Sequence, residues 1–431
     1  MNPAGHLISG VTTGSQNHLI VGIGAAGIEA ALEIKRRDPA AQVVILHREP
    51  LAQGHIFRPA LKEYLAGTLD FADLTVYPGG VLEGQGIRFI QGEVWAVDTE
   101  TKELRFREFQ EEGQVEATFH YHKLLLTTGA IPRLPPYLQG KGFSNVYAFR
   151  SLQDAVALKG RLEQEANARV LVIGGGILGV EAAELLATAG RRVTLLSRSS
   201  NLVFRGIPEP VKEKLVALFR KRGVQVLRGV SVTDTRVEGN RLTGLELEGG
   251  NVVEFDLVVA ATGVSLDTTL PASAGLTIGN GIEVDEYMRS SDPNIYAAGD
   301  CVFMPWSKRS TLPIWGPARA MGKVAGANML GEKERFKPWP SYYHSHLFGK
   351  PLGFFGDYDA PEEGHTRLVK ETGDHYRELV LRDGKLVGAS FFGKRPWPAP
   401  FIHLMTTKKT PPGGFEALLE EDYDFEGLWY L

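Results

Sequence analysis

The chain has 431 residues, which at roughly 150 residues per domain predicts about three domains. Hydrophobic residues make up 43% and charged residues 23% of the chain, ordinary values for a globular protein that buries sizeable cores. The 47 Lys and Arg against 51 Asp and Glu argue against nucleic acid or an anionic membrane as the main partner. Its single cysteine, Cys301, excludes an internal disulfide, a CxxC redox pair and a cysteine-based zinc site.

The N-terminal residues 1–17 lack the basic start, the apolar run and the small-residue cleavage site of a signal peptide. No stretch of the sequence approaches the ~18 uninterrupted apolar residues of a membrane span. We therefore expect a flexible leader, no membrane span and a cytoplasmic location.

The first predicted elements form a strand, a turn and a helix. Leu19 to Val21 are a buried apolar run, and Ile28 to Ile34 carry apolar residues at helical spacing. Val43 to Leu46 then read as a fully apolar strand, as in buried parallel sheets. The same order of elements returns in residues 168–198, and this duplication predicts two doubly wound α/β units.

Strand-like pieces with hairpin signals occupy residues 87–127, and the segments DLVVAATG and NIYAAGDC follow at 256–263 and 294–301. From Phe336 onward the chain is rich in aromatic residues, Gly and Pro, and an Asp-Gly turn in residues 377–393 predicts a hairpin. A third, α+β domain is expected there. The last twenty residues hold six acidic and no basic side chains. This tail is expected to pack on the protein's own surface through Phe415, Leu418, Phe425 and Trp429, with partner docking as the alternative.

Two glycine turns stand where a strand meets a helix. The first contains Gly22, Gly24 and Gly27, and the second contains Gly174, Gly176 and Gly179. In this spacing the first glycine permits a tight turn, the second lets the backbone approach a pyrophosphate, and the third allows close packing of helix and strand. Two such turns in one chain predict two bound dinucleotides.

Ribose recognition usually needs an acidic residue about 20 positions after the glycine turn. Glu49 is the candidate in the first unit, whereas the strand of the second unit ends in Ser197-Arg198 without an acid. Because arginine pairs with a 2′-phosphate that a carboxylate repels, Arg198 and Arg205 indicate NADP rather than NAD. Solvated surface arginines are the alternative interpretation of both residues.

The motifs GIGAAG, LLLTTGA (124–130), GGGILGVEAA (174–183), AATG (260–263) and IYAAGDC (295–301) together resemble the two-dinucleotide flavoprotein reductases of the pyridine nucleotide–disulfide oxidoreductase superfamily. The resemblance covers about residues 18–400. It implies two Rossmann-like doubly wound dinucleotide-binding domains and a small C-terminal α+β interface domain. The implied bounds are 18–149 with 266–335 for FAD, 150–265 for NAD(P)H and 336–431 for the interface domain.

The resemblance also implies which residues hold each cofactor. Those implied for FAD are Gly22, Gly24, Ala26, Gly27, Glu49, Arg58, Thr128, Gly129, Gly299 and Asp300. For the nicotinamide cofactor the candidates are Gly174, Gly176 and Gly179 of the second turn, together with Ser197, Arg198 and Arg205 of the following strand end and loop. Gly263 of the AATG motif is a further cofactor-binding candidate.

Residues 49–65 resemble the acid-then-R-P-x-L pattern of rubredoxin, ferredoxin and nitrite reductase flavoprotein components, with no cysteine for thiol chemistry. This branch implies Arg58 at the FAD pyrophosphate and Trp315 near the flavin. The sequence departs from the branch in three places. Ile56-Phe57 stand where a tyrosine is usual, Glu63 stands where the flavin-side lysine is expected, one position after Lys62, and Pro313 replaces an acid. The segment also resembles, more faintly, the type II NADH dehydrogenases.

The resemblance predicts an FAD-dependent NAD(P)H oxidoreductase that passes a hydride to flavin and then electrons to a ferredoxin- or rubredoxin-like carrier. Glu181, Lys62 and Trp315 are the implied catalytic residues, with an ordinary helix N-terminal acid as the alternative for Glu181. Two alternative functions remain open. One is a quinone or oxygen reductase, and the other is a flavin-bearing non-catalytic subunit of a redox complex.

The sequence leaves the acceptor and the assembly open. Lys394, Arg395, Lys408 and Lys409 form either an acceptor-docking stretch or a solvated face. The scattered His344, His346 and His403 lack an acid or cysteine at ligand spacing, and no metal is expected. A homo-oligomer or a subunit of a complex is the expected assembly.

Overall fold

The computed structural model describes residues 17–49, 54–78, 80–110, 113–307, 314–338, 340–393, 398–420, 423 and 425. The chain forms two compact units. The first comprises Met1–Ala60, Asp70–Ile131 and Val264–Pro338, and the second comprises Leu61–Leu69, Pro132–Gly263 and Trp339–Leu431. The predicted leader lies outside the described residues except for Asn17. Lys394, Arg395, Pro313 and Trp429 lie outside them as well.

The strands, in chain order, are β1 Asn17–Val21, β2 Gln42–His47, β3 Gly54–Ile56, β4 Thr75–Pro78, β5 Ile87–Asp98, β6 Glu103–Gln110, β7 Gly113–His120, β8 Lys123–Leu126, β9 Ile131–Pro132, β10 Val146–Ala148, β11 Arg169–Ile173, β12 Arg192–Ser197, β13 Gln225–Arg228, β14 Val232–Glu238, β15 Arg241–Leu247, β16 Val252–Glu254, β17 Leu257–Ala260, β18 Val264–Ser265, β19 Ile282–Glu283, β20 Ile295–Ala297, β21 Val302–Phe303, β22 Tyr342–Leu347, β23 Lys350–Gly356, β24 Thr366–Thr372, β25 His375–Arg382 and β26 Lys385–Phe392. The helices are α1 Ala25–Arg37, α2 Leu61–Ala66, α3 Leu152–Gln164, α4 Ile177–Thr188, α5 Glu209–Lys221, α6 Thr269–Ser273, α7 Trp315–Met329 and α8 Pro398–Thr407.

The first unit is built on a sheet with the strand order β20-β8-β1-β2-β5-β6-β7. The five strands from β20 to β5 are parallel, and β6 and β7 extend the sheet as an antiparallel meander. The register pairs Val21 with Leu46 on one side and with Leu126 on the other. The carboxyl ends of the parallel strands therefore meet at one edge, where open α/β sheets bind their ligands.

Helices α1 and α7 of the first unit pack against each other at unusually close range. A Cβ at Gly322 would lie 2.2 Å from the carbonyl oxygen of Ala26, and one at Gly326 would lie 2.6 Å from that of Ala30. Side chains at these positions would push the two backbones apart. The glycines of α7 therefore set where the N-terminus of α1 lies at the edge of the sheet.

The second unit contains a parallel sheet with the strand order β10-β17-β11-β12-β13. Strand β11 pairs with β12 and β17 so that Ile173 lies opposite Leu196 and Ala260. The ends of these strands again meet at one edge of the sheet. A separate antiparallel sheet, β14-β15-β16, belongs to the same unit.

The C-terminal part of the second unit is an antiparallel sheet in the order β22-β23-β26-β25-β24. The predicted Asp-Gly hairpin joins β25 to β26, and both turn residues, Asp383 and Gly384, have positive φ, at 51° and 66°. Such a pair of left-handed residues is typical of a type I′ turn. Helix α8 covers β23 and β26, and Phe415 and Leu418 of the acidic tail are buried in the same core.

None of the helices in the described part of the chain is long and apolar enough to cross a membrane. The domain bounds predicted from the sequence stay predictions. In the described fold, β10 belongs to the parallel sheet of the second unit.

Candidate cofactor sites

The candidate site of the first unit lies at the carboxyl edge of its parallel sheet. Four connections meet there: Gly22 to Gly27 after β1, Glu49 after β2, Thr127 to Gly129 after β8, and Gly299-Asp300 after β20. The structure thus brings together residues that lie far apart in the sequence.

The glycine turn of this site is shaped by backbone contacts that exclude side chains. Gly22 has a φ of +112°, and a Cβ there would lie 2.3 Å from the carbonyl oxygen of Thr127. A Cβ at Gly27 would lie 2.3 Å from the carbonyl oxygen of Gly22. Gly24 differs, because its Cβ would meet nothing within 4 Å. Gly24 is the N-cap of α1 and supplies no side-chain hydrogen bond, so the first N–H groups of the helix are left for an anion.

Thr127 holds this turn in place, and sequence reasoning selected its neighbour Thr128 instead. The Thr127 hydroxyl donates to the carbonyl oxygens of Val21 at 3.0 Å and of Gly22 at 3.1 Å. The position of Thr127 directly after a buried strand was the available signal.

Ala26 and Gly299 lie where helix α1 meets the loop after β20. Ala26 is buried, and a Cβ on Gly299 would lie 3.1 Å from the Cβ of Ala26. Gly299 has a φ of +87° and precedes Asp300. Small residues at both positions keep Asp300 close to the start of α1.

Glu49 and Arg58, which were assigned to different parts of FAD, form an ion pair. Nη2 of Arg58 donates to Oε1 of Glu49 at 2.7 Å, and each side chain is about one-third exposed. The Nδ1 atom of His47 lies 2.6 Å from the carbonyl oxygen of Glu49, and burial lowers the pKa of this histidine. Glu49 is therefore held at both its backbone and its carboxylate, and it remains accessible.

Trp315 begins helix α7 and is fixed by two neighbours within the first unit. Its ring meets Phe57 edge-on at 5.0 Å between centroids, and the Arg319 guanidinium lies 4.4 Å from its ring centroid. Arg319 in turn pairs with the buried Glu29 of α1. The indole Nε1 is buried and has no hydrogen-bond partner among the described residues. A buried donor of this kind is expected to have an acceptor, which a bound ligand can provide.

These features fit a flavin dinucleotide. The uncapped start of α1 suits its pyrophosphate, Glu49 suits a ribose hydroxyl, and the orphan indole N–H suits a ring or carbonyl acceptor.

The candidate site of the second unit repeats this geometry after β11. Gly174 has a φ of +128°, and its Cβ would lie 2.1 Å from the carbonyl oxygen of Ala261. A Cβ at Gly179 would lie 1.9 Å from the carbonyl oxygen of Gly174, whereas one at Gly176 would meet nothing within 4 Å. Gly176 is the N-cap of α4, again without a side-chain cap. The second turn is therefore equally suited to a pyrophosphate.

The loop after β12 folds back onto this glycine turn. Buried Ser197 ends β12, and its hydroxyl donates to the carbonyl oxygen of Ser199 at 2.8 Å. The N–H of Val203 donates to the carbonyl oxygen of Gly175 at 2.7 Å, with Val203 at a φ of +67°. A β-branched residue in this region is strained, and such strain is found at ligand-binding sites. The loop also carries Arg198 and Arg205, and both are exposed. Gly263, after β17, is exposed and accepts from the N–H of Arg133.

Glu181 lies past the first turn of α4, and three donors from elsewhere in the second unit surround it. Its Oε1 atom lies 3.1 Å from Nζ of Lys62 and accepts from the Tyr343 hydroxyl at 3.1 Å and the Ser345 hydroxyl at 2.6 Å. Only 12% of its side chain is exposed. Lys62 thus reaches Glu181 although it stands one position earlier than expected. The next acid, Glu184, accepts from the N–H of Phe348, and burial raises its pKa.

Sequence reasoning missed Tyr343 and Ser345. They lie 162 and 164 residues from Glu181 in the chain. The sequence predicted no strand here, and the only available signal was their spacing of two residues, which places both side chains on one face of a strand.

The model of one protein family, "Pyridine nucleotide-disulphide oxidoreductase", matches residues 16–322 of the chain. The probable ferredoxin reductase CtmF of Castellaniella defragrans is 32% identical over 80% of this chain and 83% of its own. A nitrite reductase [NAD(P)H] of Bacillus subtilis is 30% identical over 88% of this chain, which spans 46% of that relative's length. Among solved structures, putidaredoxin reductase in its covalent complex with putidaredoxin has a TM-score of 0.83 and 23% identity, covering 96% of this chain and 98% of that chain.

These matches confirm the predicted α/β fold with Rossmann-like domains. They also confirm the prediction of an NAD(P)H oxidoreductase with FAD and NAD(P)H as cofactors. The chain belongs to the pyridine nucleotide-disulphide oxidoreductase family.

Proposed function

We propose that this protein is an FAD-dependent reductase that takes electrons from NAD(P)H and delivers them to a small redox carrier protein. The observation that carries the proposal is that each unit has the same dinucleotide cradle. In each cradle, a glycine turn whose first and third glycines leave no room for a Cβ is followed by a helix that starts without a side-chain cap. One cradle suits FAD and the other suits the nicotinamide cofactor. When bound, FAD accepts a hydride, which is two electrons and one proton, and releases the electrons singly.

In the first unit the residues bind and orient the flavin cofactor. The N–H groups at the start of α1 hold the pyrophosphate, with Arg58 as a charge-assisted donor beside it. Glu49 accepts from a ribose hydroxyl while it retains Arg58 as a partner. The buried indole N–H of Trp315 supplies a donor near the flavin.

In the second unit the residues select and orient the nicotinamide cofactor. The segment from Ser197 to Arg205 contains no Asp or Glu, and its two arginines are exposed. This combination supports NADPH over NADH, because guanidinium groups pair with a 2′-phosphate. Glu181 acts at the nicotinamide end, with Lys62 beside it.

The names of the relatives support the choice of acceptor. One is a probable ferredoxin reductase, and others are nitric oxide reductase FlRd-NAD(+) reductases and a putidaredoxin reductase of Pseudomonas putida. We extend to this chain a ferredoxin- or rubredoxin-like acceptor and a cytoplasmic location. The exposed Lys408 and Lys409 on the C-terminal part suit an acidic partner.

An anaerobic titration of the purified holoprotein with NADPH and, separately, with NADH tests this proposal. Rapid bleaching of the flavin absorbance by either nucleotide is the expected result, with NADPH faster. A bound flavin that neither nucleotide bleaches would refute the reductase function. Steady-state assays with a ferredoxin, a rubredoxin, a soluble quinone and oxygen then compare the acceptors. Faster turnover with quinone or oxygen than with both carrier proteins would refute the proposed acceptor class.

A further inference from the structure

The hairpin formed by β22 and β23 docks on helix α4 through the two acidic residues of that helix. Ser345 and Tyr343 of β22 donate to Glu181, and the N–H of Phe348 in the hairpin turn donates to Glu184 at 3.1 Å. Glu181 and Glu184 are one helical turn apart, so they face the hairpin together. The contact is therefore polar and directional, unlike the apolar contacts that hold most sheets to helices.

The side chains of β22 alternate, and this assigns one face of the strand to Glu181. Tyr343 and Ser345 share that face, whereas Tyr342 lies on the other and packs against the core under α8. Strand β22 is at the edge of its sheet and pairs only with β23 among the described strands. An edge strand can present a full face of side chains to another element.

Tyr343 is oriented by the packing of its ring. Phe204, from the loop after β12, meets it edge-on at 5.1 Å between centroids, and Phe354 of β23 stacks on it at 6.5 Å with planes 13° apart. Burial raises the pKa of the Tyr343 hydroxyl well above its usual value, so it remains a donor at neutral pH. The same tyrosine thus contacts the loop after β12 with its ring and Glu181 with its hydroxyl.

The donors converge on a single carboxylate oxygen. Lys62, Tyr343 and Ser345 all reach Oε1 of Glu181, and Oε2 has no hydrogen-bond partner among the described residues. Three donors on one oxygen restrict the rotation of the carboxylate and leave its second oxygen for a ligand.

We propose that Ser345 and Tyr343 are positioning residues, which hold Glu181 so that Oε2 meets the nicotinamide during hydride transfer. This inference rests on the proposed function. It gives the C-terminal sheet a part in the reduction of flavin, because that sheet supplies two of the donors to Glu181. The hydride leaves the nicotinamide ring, which is oxidised, and reduces the flavin. In this role Ser345 and Tyr343 act only through their hydrogen bonds to Glu181, and both keep their protons.

The experiment compares holoprotein variants Ser345→Ala and Tyr343→Phe with the matched controls Ser390→Ala and Tyr342→Phe. Ser390 is as buried as Ser345 but lies on β26, and Tyr342 adjoins Tyr343 on the opposite face. Stopped-flow absorbance gives the limiting rate of flavin bleaching, and titration with the oxidised nucleotide NADP⁺ gives a dissociation constant that does not depend on turnover.

We expect Ser345→Ala and Tyr343→Phe to lower the limiting rate about tenfold each, because a misplacement of about 1 Å costs up to ~100-fold. The dissociation constant for NADP⁺ should change less than about twofold, and both controls should match the wild type. In a Glu181→Gln background, Ser345→Ala should lower the rate by less than about twofold more, because the two residues act as one unit.

The outcomes of this experiment separate the inference from the proposed function. If neither nucleotide bleaches the wild type, the proposed function fails and the inference fails with it. If the wild type is bleached and the two variants match it, only the inference is overturned. Effects that add to that of Glu181→Gln, or that are shared by the controls, also overturn it. If Ser345→Ala does not retain flavin, Tyr343→Phe alone decides, because it keeps the ring in place.

Discussion

Replacing Gly176 by alanine adds one methyl group at the start of α4, and the fold has room for it. The added Cβ would meet nothing within 4 Å, and the φ of −74° at Gly176 is open to any residue. Alanine is a poorer N-cap than glycine, so the free energy of unfolding should fall by at most about 1 kcal/mol. The protein itself should therefore tolerate Gly176→Ala well.

Nucleotide binding should not tolerate it. A pyrophosphate that accepts hydrogen bonds from the start of α4 must approach the backbone at Gly176. A methyl group there displaces it and removes at least one charge-assisted hydrogen bond, which contributes about 1.5–3 kcal/mol. The dissociation constant for the nicotinamide nucleotide should rise by about 10- to 150-fold per lost bond.

Titration calorimetry with NADP⁺ and NAD⁺ measures this change, with flavin content and melting temperature recorded for each variant. Two alanine variants provide the controls. Gly24→Ala adds the equivalent methyl group at the start of α1, where nothing lies within 4 Å, and should lower FAD retention instead. Gly160→Ala lies within α3, also in open space, and should leave both ligands bound while raising stability by about 0.5–1 kcal/mol.

The reasoning is refuted if Gly176→Ala binds nucleotide as tightly as the wild type. It is also refuted if Gly176→Ala loses flavin as readily as Gly24→Ala does. In either case the two glycine turns would not serve separate dinucleotides.

Three further predictions concern the fold around the sites. Asn145 is buried, donates to the carbonyl oxygens of Leu242 and Asp256 at 2.8 Å each, and accepts from the Leu242 N–H at 3.0 Å. Asn145→Ala should cost about 2–4 kcal/mol in urea unfolding because backbone groups are left unpaired, and an unchanged midpoint would contradict this. Burial lowers the pKa of His18 from 6.5 to about 4, so the unfolded chain binds the proton first as the pH falls. The contribution of His18 to the free energy of unfolding should be fully present above pH 6.5 and should fall by up to about 3 kcal/mol towards pH 4. The drop in melting temperature between pH 7.5 and 5 should thus be smaller in His18→Gln, and equal drops would argue against the assignment. Burial raises the pKa of the Cys301 thiol to about 11, so thiol reagents should label the native protein far more slowly than the unfolded chain at pH 8, and fast native labelling would disprove this.

Local patterns in the sequence predicted the strands and the glycine turns that carry both candidate sites. The runs around Leu19 and Val43 became neighbouring parallel strands, because a fully apolar run can be satisfied only in a sheet covered on both faces. The Asp383-Gly384 turn formed as expected, because these two residue types adopt positive φ at low cost. Such features depend on residues close in the chain.

Other parts of the sites depend on contacts that no local pattern carries. Thr127 supports the glycine turn from 106 residues away, and Ser345 reaches Glu181 from 164 residues away. The pairing of Glu49 with Arg58 was equally hidden, because each residue was assigned to its own part of the cofactor.

The amino-acid sequence is sufficient to establish two glycine turns, their strands and helices, and hence a protein for two dinucleotides, because backbone sterics and periodicity act over a few residues. Tertiary packing alone decided how the first of those turns is buttressed and which side chains restrain Glu181. Thr127 and Ser345 each act at a site formed by a distant part of the chain, so their geometry exists only after strands from several places have come together. A hydrogen bond requires the donor and the acceptor to lie within a few tenths of an ångström of their best separation, and only the folded chain sets that separation.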